Sequence, residues 1–440
     1  SQDRVTELIV DWEDGREEVL TGCQIYDVVF NGDKPWMITA NGTIFTYEKE
    51  GVIPSLLARW YSERKQLQAK LKEAINAGDK EQEKYWDKRQ LVKKINLNSA
   101  YGALLNAGCR FFDKRIGQST TLSGRRIDRH MAAEINSNIT GVYDYRGKCI
   151  LYCDTDSSYF TAWPELKDEV VSGNIPWNKD IVIQLYDNIS AEVNATFPQF
   201  MLDSFACPKS RGEVIKAGRE IVADRGLFIT KKRYAVRYYD KDGKRQDSDT
   251  KPGKVKAMGL DLKRADTPVF MQDFLESILY DVLDGAEEKD VLERIKEFRK
   301  EFKVRPGWEK GTPKRANNIT SYKEREEKVG NKVSVPGHVR ASINWNFLKK
   351  MNGDRYSMNI VDGMKVVVCK LKDNPMGITS VAYPVDEMHL PKWFQELPFD
   401  HNEMEVTIIN NKIDNLLGVL QWDLASTESI NCFSNLFSFE

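Results

Sequence analysis

The chain of 440 residues has few of the features that mark disulfide-rich, zinc-binding or membrane proteins. Its seven Cys are an odd number without a CxxC pair, which argues against a disulfide framework and indicates a reducing compartment. Its four His are too scattered along the chain for a zinc site. No apolar run approaches the roughly 20 residues of a membrane span, and no signal peptide is visible. The sequence therefore predicts a cytoplasmic protein that does not act at a membrane.

The composition, 41% hydrophobic and 30% charged, is that of an ordinary globular protein long enough for more than one sub-domain. Strand-like runs cover residues 6–30 and 36–46, and amphipathic patterns predict a helical hairpin over residues 54–106. Farther on, residues 308–335 are expected to form a mobile polar loop and residues 405–409 a strand. The alternation of strands and helices predicts an α+β fold, with helices packed against one antiparallel sheet.

The most informative stretch is residues 148–161, in which two apolar runs flank Asp154-Thr155-Asp156-Ser157. We predict a tight hairpin with two carboxylates at its tip. Because alternate residues of a strand share a face, Asp154 and Asp156 are expected to point together. Like charges held that close repel each other unless a divalent cation lies between them, and such oxygen ligands suit Mg²⁺. An Asp-rich surface turn is the simpler interpretation, but the flanking apolar strands favour a metal site.

A second motif lies on the second arm of the predicted helical hairpin. Lys94, Asn98 and Tyr101 stand at i, i+4 and i+7, so one helix face presents a cation, an amide and an aromatic ring. Gly102 leaves room for a flat group to approach the backbone. A lysine on such a face can neutralise a phosphate. For Lys94 alone, a solvated helix face is the better interpretation. Because Asn98, Tyr101 and Gly102 accompany it, a solvated face is the less favoured interpretation of the whole motif.

Two further segments suggest binding surfaces. Residues 231–234 mix cations with an aromatic residue on an otherwise apolar hairpin. Two interpretations are about equally good: the segment contacts phosphates, or it is a solvated strand edge protected by lysines. The last ten residues, 431–440, are too apolar for a free tail. They are expected to dock into the groove of a partner, with docking on the chain's own core as the alternative.

These motifs together resemble those of family B DNA polymerases. Residues 93–102, KKINLNSAYG, are similar to the fingers motif K-x-x-x-N-S-x-Y-G of that family. Residues 152–157, YCDTDS, are similar to its palm motif with metal-binding aspartates, and residues 231–234, KKRY, to its primer–template motif. Their order and the phenylalanine-rich tail look most like replicative polymerases of T-even-type phages, over residues 38–440.

The resemblance implies a right-handed polymerase fold with helical-hairpin fingers, an antiparallel-sheet palm and a mostly helical thumb. The implied ranges are 1–50 for a β-rich segment or palm edge, 51–107 for the fingers, 108–262 for the palm and 263–440 for the thumb. The implied location is the cytoplasm, that of the host cell if a phage encodes the chain.

The resemblance also implies a role for each motif residue. Asp154 and Asp156 would hold the catalytic Mg²⁺, as two ions shared with a partner chain. The remaining roles are dNTP contact by Arg64, Lys94, Asn98, Tyr101 and Gly102, primer–template DNA contact by Lys231, Lys232, Arg233 and Tyr234, and sliding-clamp contact by Phe433, Leu436, Phe437 and Phe439.

Two departures from the family pattern affect this interpretation. Gln68 stands where the family has a lysine four residues after Arg64, so the triphosphate contact of that lysine is absent. More seriously, residues 1–51 contain no D-x-x-S-L-Y-P-S motif, which supplies the third palm aspartate, and the exonuclease domain is missing. We therefore predict the C-terminal part of a split polymerase whose partner chain brings the exonuclease and the rest of the palm, with an artificial fragment of a longer polymerase as the alternative to a split. A non-catalytic subunit that binds primer–template and tethers the clamp is the alternative, and an unrelated Mg²⁺ phosphotransferase is a weaker one.

Overall fold

The structure is a computed structural model that describes residues 5–12, 14–329 and 334–427. It divides into two units, Ser1–Glu220 and Ile221–Glu440. Both units mix helices and strands, which confirms the predicted α+β class. Within the described ranges, no helix combines the length and the apolar character needed to span a membrane. The boundary between the units lies inside the range predicted as palm, and the four-part division remains a prediction.

The first unit opens with two strand pairs separated by a helix. These elements are β1 (Glu7–Asp11), β2 (Glu17–Thr21), α1 (Gly22–Phe30), β3 (Trp36–Ile38) and β4 (Ile44–Thr46). The pairs β1–β2 and β3–β4 are antiparallel and agree with the strands predicted there. The prediction of strand was wrong for α1. Thr21 and Gln24 form a capping box in which each side chain accepts from the other's backbone N–H, and this fixes a helix start that the apolar pattern did not reveal.

The predicted helical hairpin is present as α2 (Val52–Ala77) and α3 (Lys80–Leu104), packed along each other. Gly78 ends α2 in the left-handed conformation, with φ of 70°, which residues with a Cβ adopt at a cost. Asp79 then caps α3 by accepting hydrogen bonds from the N–H groups of Glu81 and Gln82. The turn chemistry at residues 78–79 thus reverses the chain between two long helices.

The rest of the first unit surrounds the Asp-rich hairpin. Its elements are α4 (Lys114–Thr140), β5 (Ile150–Asp154), β6 (Ser157–Phe160), α5 (Trp163–Val171), α6 (Lys179–Phe205) and α7 (Lys209–Gly212). Ile135 of α4 packs with Ile189, Val193 and Phe197 of α6 in a buried apolar cluster. Strands β5 and β6 both contact α4 and form a separate two-stranded sheet. The expectation of one antiparallel sheet was therefore wrong, because the described strands fall into five small sheets.

The second unit contains two apolar cores. The first lies beneath a sheet of order β10–β8–β7, with β9 paired to β8, and is lined by helices from both ends of the unit. Its elements are β7 (Ile221–Thr230), β8 (Arg233–Lys241), β9 (Lys244–Arg245), β10 (Lys254–Met258), α8 (Val269–Asp284) and α9 (Glu288–Val304). Ile413, Leu416 and Leu417 enter this core from a helix near the C-terminus, described next.

The second core lies around a three-stranded sheet of order β11–β12–β13. Its elements and the helices that follow are β11 (Thr312–Arg315), α10 (Ile319–Val329), α11 (Gly337–Met351), β12 (Lys365–Lys370), β13 (Ser380–Pro384), α12 (Lys392–Gln395), α13 (His401–Glu405) and α14 (Asn411–Leu417). Two predictions were wrong here. The segment expected to be a loop contains β11 and α10, and residues 405–409 are helical. The adjacent residues Ile408 and Ile409 enter the same core together with Ile413, which a strand with side chains on alternate faces would not allow.

Candidate active site

The tip of the β5–β6 hairpin carries the two predicted aspartates. Asp154 ends β5 and is half-buried, whereas Asp156 lies in the turn and is exposed. Thr155 between them has a positive φ of 58°, and the Asp156 N–H donates to the Asp154 carbonyl oxygen over 2.6 Å. The expectation of strand alternation across both residues was therefore wrong, because a left-handed residue interrupts the two-residue repeat.

Helix α4 brings a third carboxylate, Asp128, to this hairpin. Ser158 of β6 donates its hydroxyl to Asp128 Oδ1 over 3.5 Å. Burial, followed by the negative charges of Asp156 and Asp154, raises the pKa of Asp128 to about 6. Sequence reasoning missed this residue, since the residues around it match no motif. The only available signal was that the predicted helix directly precedes the hairpin.

The chemistry of the pair suits a hard cation. Carboxylate oxygens are the preferred ligands of Mg²⁺, and the mutual repulsion of these acids would be relieved by a bound cation. Among the described residues, however, no three His, Cys, Asp or Glu side chains converge closely enough to hold a metal ion. Asp154 and Asp156 therefore fit part of a magnesium site, and a ligand from a partner chain remains a prediction.

The helical hairpin carries the predicted nucleotide contacts along α3. Lys94 and Asn98 are exposed, and Tyr101 is half-buried. A Cβ added at Gly102 would meet no atom within 4 Å, so the backbone there is open to an approaching group. Across the hairpin, Arg64 of α2 donates to Gln90 Oε1 over 3.4 Å. Gln90 stands one helical turn before Lys94, so Arg64 lies near the same face of α3.

Helix α4 also contacts the helical hairpin directly. The hydroxyl groups of Tyr101 and Thr121 share a short hydrogen bond. Thr121 precedes Asp128 by seven residues, which is two helical turns and about 10 Å along one face. One rigid helix thus sets the spacing between the Tyr101 end of the hairpin and the three carboxylates.

The basic segment of the second unit forms the turn between β7 and β8. Lys231 and Lys232 are exposed in this turn, and Lys232 has a positive φ of 63°. Tyr234 is buried, with its ring stacked on that of Phe228 at 5.7 Å between centroids. Arg233 donates through Nη2 to the Asn415 carbonyl oxygen over 2.7 Å. The two lysines are therefore presented outward, while the next two residues face the protein.

Comparison with known proteins shows what the first part of the chain resembles. Residues 25–204 match the profile described as DNA polymerase family B. The chain is 27% identical to the DNA-directed DNA polymerase of Enterobacteria phage T4 over an alignment of 313 residues. This alignment covers 69% of this chain and 33% of that protein. The chain is also 28% identical to the DNA-directed DNA polymerase of Escherichia phage RB69 over 308 residues, and that alignment covers 67% of this chain and 33% of the phage protein. Over residues 25–204 the chain is therefore similar to DNA polymerase family B.

The chain spans about a third of the length of those two phage relatives. An archaeal relative, DNA polymerase 1 of Pyrococcus abyssi (strain GE5 / Orsay), is 26% identical over 256 residues, 58% of this chain and 27% of that protein. The family match includes the helical hairpin and the Asp-rich hairpin, whereas the turn at residues 231–234 lies beyond it. The predicted clamp-binding residues Phe433, Leu436, Phe437 and Phe439 lie outside the described residues.

Proposed function

We propose that this chain is the C-terminal subunit or fragment of a replicative DNA-directed DNA polymerase. In this proposal it takes part in template-directed addition of dNTPs to a primer 3′-hydroxyl. The main support for the proposal is that one helix, α4, contacts both candidate sites. It contacts Tyr101 of the helical hairpin and Ser158 of the Asp-rich hairpin. A polymerase needs its nucleotide-binding helix and its catalytic acids at a fixed separation, and one rigid helix supplies that separation.

In this proposal Asp154 and Asp156 hold two Mg²⁺ ions together with an aspartate from a partner chain. The chemistry that bound Mg²⁺ supplies is activation of the attacking 3′-hydroxyl and neutralisation of the charge on the leaving pyrophosphate. Asp128, whose pKa is raised by burial and by the charges of Asp156 and Asp154, adds negative potential beside the Asp-rich hairpin. That potential favours cation binding at the hairpin tip.

The helical hairpin would bind the incoming dNTP. Lys94 and Arg64 supply positive charge for the triphosphate, and Asn98 offers an amide beside them. Tyr101 and Gly102 would lie against the nascent base pair, where the open backbone at Gly102 admits a flat group. Gln68, half-buried on α2, carries no charge, so Lys65 or Lys70 would have to replace that triphosphate contact.

The second unit would hold the primer–template and the sliding clamp. Lys231 and Lys232 are exposed cations suited to backbone phosphates, and Arg233 and Tyr234 complete the predicted contact segment. The phenylalanine-rich tail over residues 431–440 would bind the clamp. The division into a palm edge (1–50), fingers (51–107), palm (108–262) and thumb (263–440) belongs to the same proposal.

The test is primer extension by this chain alone and with a chain that carries the S-L-Y-P-S motif. We expect DNA synthesis only when both chains are present. Robust synthesis by this chain alone would contradict the proposal that the polymerase is split between two chains. Within the pair, Asp156→Ala should abolish synthesis and keep primer–template affinity, because the residue contacts the reacting groups and not the duplex. Asp168→Ala, an exposed aspartate on α5, is the matched control and should retain full activity.

A second candidate, a non-catalytic subunit that binds primer–template and tethers the clamp, is favoured by one observation. No group of three metal-ligating side chains occurs in the part of the chain that the structure describes. Unchanged DNA synthesis by the two-chain complex that carries Asp156→Ala would support this second candidate. Deleting residues 431–440 tests the clamp separately, since it should remove clamp-dependent processivity and leave distributive synthesis intact.

A further inference from the structure

The turn at Lys231 and Lys232 is held from below by a segment that follows β10. Gly259 has a φ of 62°, and a Cβ added there would lie 2.0 Å from the Lys232 carbonyl oxygen. No side chain fits in that space, so the backbones at Gly259 and Lys232 are in direct contact. The conformation of the basic turn, including the positive φ of Lys232, is thus set by its neighbours and not by the turn alone.

Arg233, the residue after the two lysines, connects this turn to α14. Its Nη2 donates to the Asn415 carbonyl oxygen over 2.7 Å, and its Nη1 lies 3.5 Å from Asn415 Oδ1. Both terminal nitrogens of the guanidinium are therefore directed at one residue of α14. A phosphate ligand would need that same planar fork, so the observed geometry uses the donors that DNA would require.

Asn415 is itself fixed by a buried carboxylate. Its Nδ2 donates to Asp261 Oδ2 over 3.0 Å, and Lys412 Nζ donates to Asp261 Oδ1 over 2.8 Å. Asp261 and Lys412 are largely buried, so this ion pair is screened little by solvent. Asp261 follows Gly259 by two residues, and the same short segment therefore contacts the turn directly and again through Asn415 and Arg233.

We propose that Arg233 is a positioning residue for DNA binding, which acts through Asn415 and Asp261 to hold Lys231 where it meets a backbone phosphate. This inference rests on the proposed function, because it assumes that the turn contacts primer–template DNA. It differs from the role implied by the family motif, in which Arg233 itself contacts the DNA. The phosphate contact then depends on α14, whose own side chains need not touch DNA.

The experiment measures the affinity of the full chain for a fluorescein-labelled primer–template duplex at several salt concentrations. The variants are Lys231→Ala, Asn415→Ala, Arg233→Lys and the double variant Lys231→Ala/Asn415→Ala. Arg233→Lys keeps the charge but lacks the fork, so it tests positioning with little risk to folding. Asn411→Ala, an exposed asparagine one turn earlier on α14, is the matched control, and thermal unfolding of each variant measures its stability.

We expect Asn415→Ala and Arg233→Lys each to weaken binding by about 2- to 10-fold, with Asn411→Ala unchanged. Each should lower the slope of log affinity against log salt by about one, as Lys231→Ala does, because the Lys231 phosphate contact is lost. Adding Lys231→Ala to Asn415→Ala should then cost little more. A change in unfolding temperature alone would not produce this coupling.

Fully additive losses, or normal binding by Arg233→Lys, would overturn the positioning role. A salt slope preserved in Arg233→Lys would also overturn it, since a lysine can replace an arginine as a simple phosphate contact. If the unmodified chain fails to bind the duplex, the proposed function fails and the inference fails with it. The two failures are distinguishable because the second is visible before any substitution is made.

Discussion

Acidification should destabilise the first unit through His130, a buried residue of α4. Its Nδ1 is 2.8 Å from the Tyr143 hydroxyl and its Nε2 is 2.9 Å from the Thr196 hydroxyl. Its ring stacks on Phe200 with 3.9 Å between centroids. Burial and the charge of Arg126 lower the pKa of His130 from 6.5 to about 4. The folded protein therefore keeps this imidazole neutral at pH values where the unfolded chain protonates it.

The sign and size of the effect follow from linkage. A depressed pKa of His130 stabilises the folded state above the unfolded value, 6.5, and this stability is lost as the pH falls towards the folded value, about 4. Each unit of pKa difference corresponds to about 1.4 kcal/mol. The pKa difference of His130 thus predicts a loss of about 2–3 kcal/mol in the free energy of unfolding across that window.

The assay is denaturant unfolding from about pH 7.5 to about pH 4.5, comparing the natural chain with His130→Gln. The variant should be less stable at neutral pH, because it loses the ring stacking, and its stability should fall less steeply with acid. Other titrating groups act on both proteins, so the difference between the two curves isolates His130. His389→Gln, at an exposed histidine, is the control and should follow the natural chain. Parallel curves for the natural chain and His130→Gln would refute the reasoning.

Three further predictions concern stability. Asp128→Asn should raise the free energy of unfolding at neutral pH by about 1 kcal/mol, because the raised pKa of Asp128 means that its ionisation opposes folding; the figure allows for solvent screening of this half-buried group. The gain should vanish below about pH 4, where Asp128 is protonated in both states, and a stability difference that does not change with pH would contradict the prediction. Arg237→Ala should cost about 2 kcal/mol, since it removes a buried guanidinium that donates to Asp224 over 2.7 and 3.0 Å, and chemical denaturation measures this against the milder Asp224→Asn. Gly259→Ala should cost about 1–3 kcal/mol through its positive φ and the contact of the added Cβ with the Lys232 carbonyl oxygen, and an unchanged unfolding midpoint would contradict it.

Several elements could be predicted from local sequence because their causes are local. The helical hairpin follows from amphipathic periodicity and the Gly78 turn, and the Asp-rich hairpin from two apolar runs around a short polar tip. Where local signals competed, the prediction failed. Residues 22–30 have strand-like composition, yet the capping box at Thr21 starts a helix there. Residues 405–409 also resemble a strand, yet the adjacent residues Ile408 and Ile409 are both buried in one core, which a helix allows.

The resemblance to family B polymerases, the α+β class and the order of the motifs were determined by the sequence alone, because residue type and spacing along the chain carry them. Only the tertiary structure decided that Asp128 joins Asp154 and Asp156, and that Arg233 contacts Asn415, 182 residues farther along. Such contacts depend on how separate elements pack, and no pattern within a short window encodes the distance between two elements. The side chains around the proposed site were therefore known only after the helices and strands that carry them had been positioned.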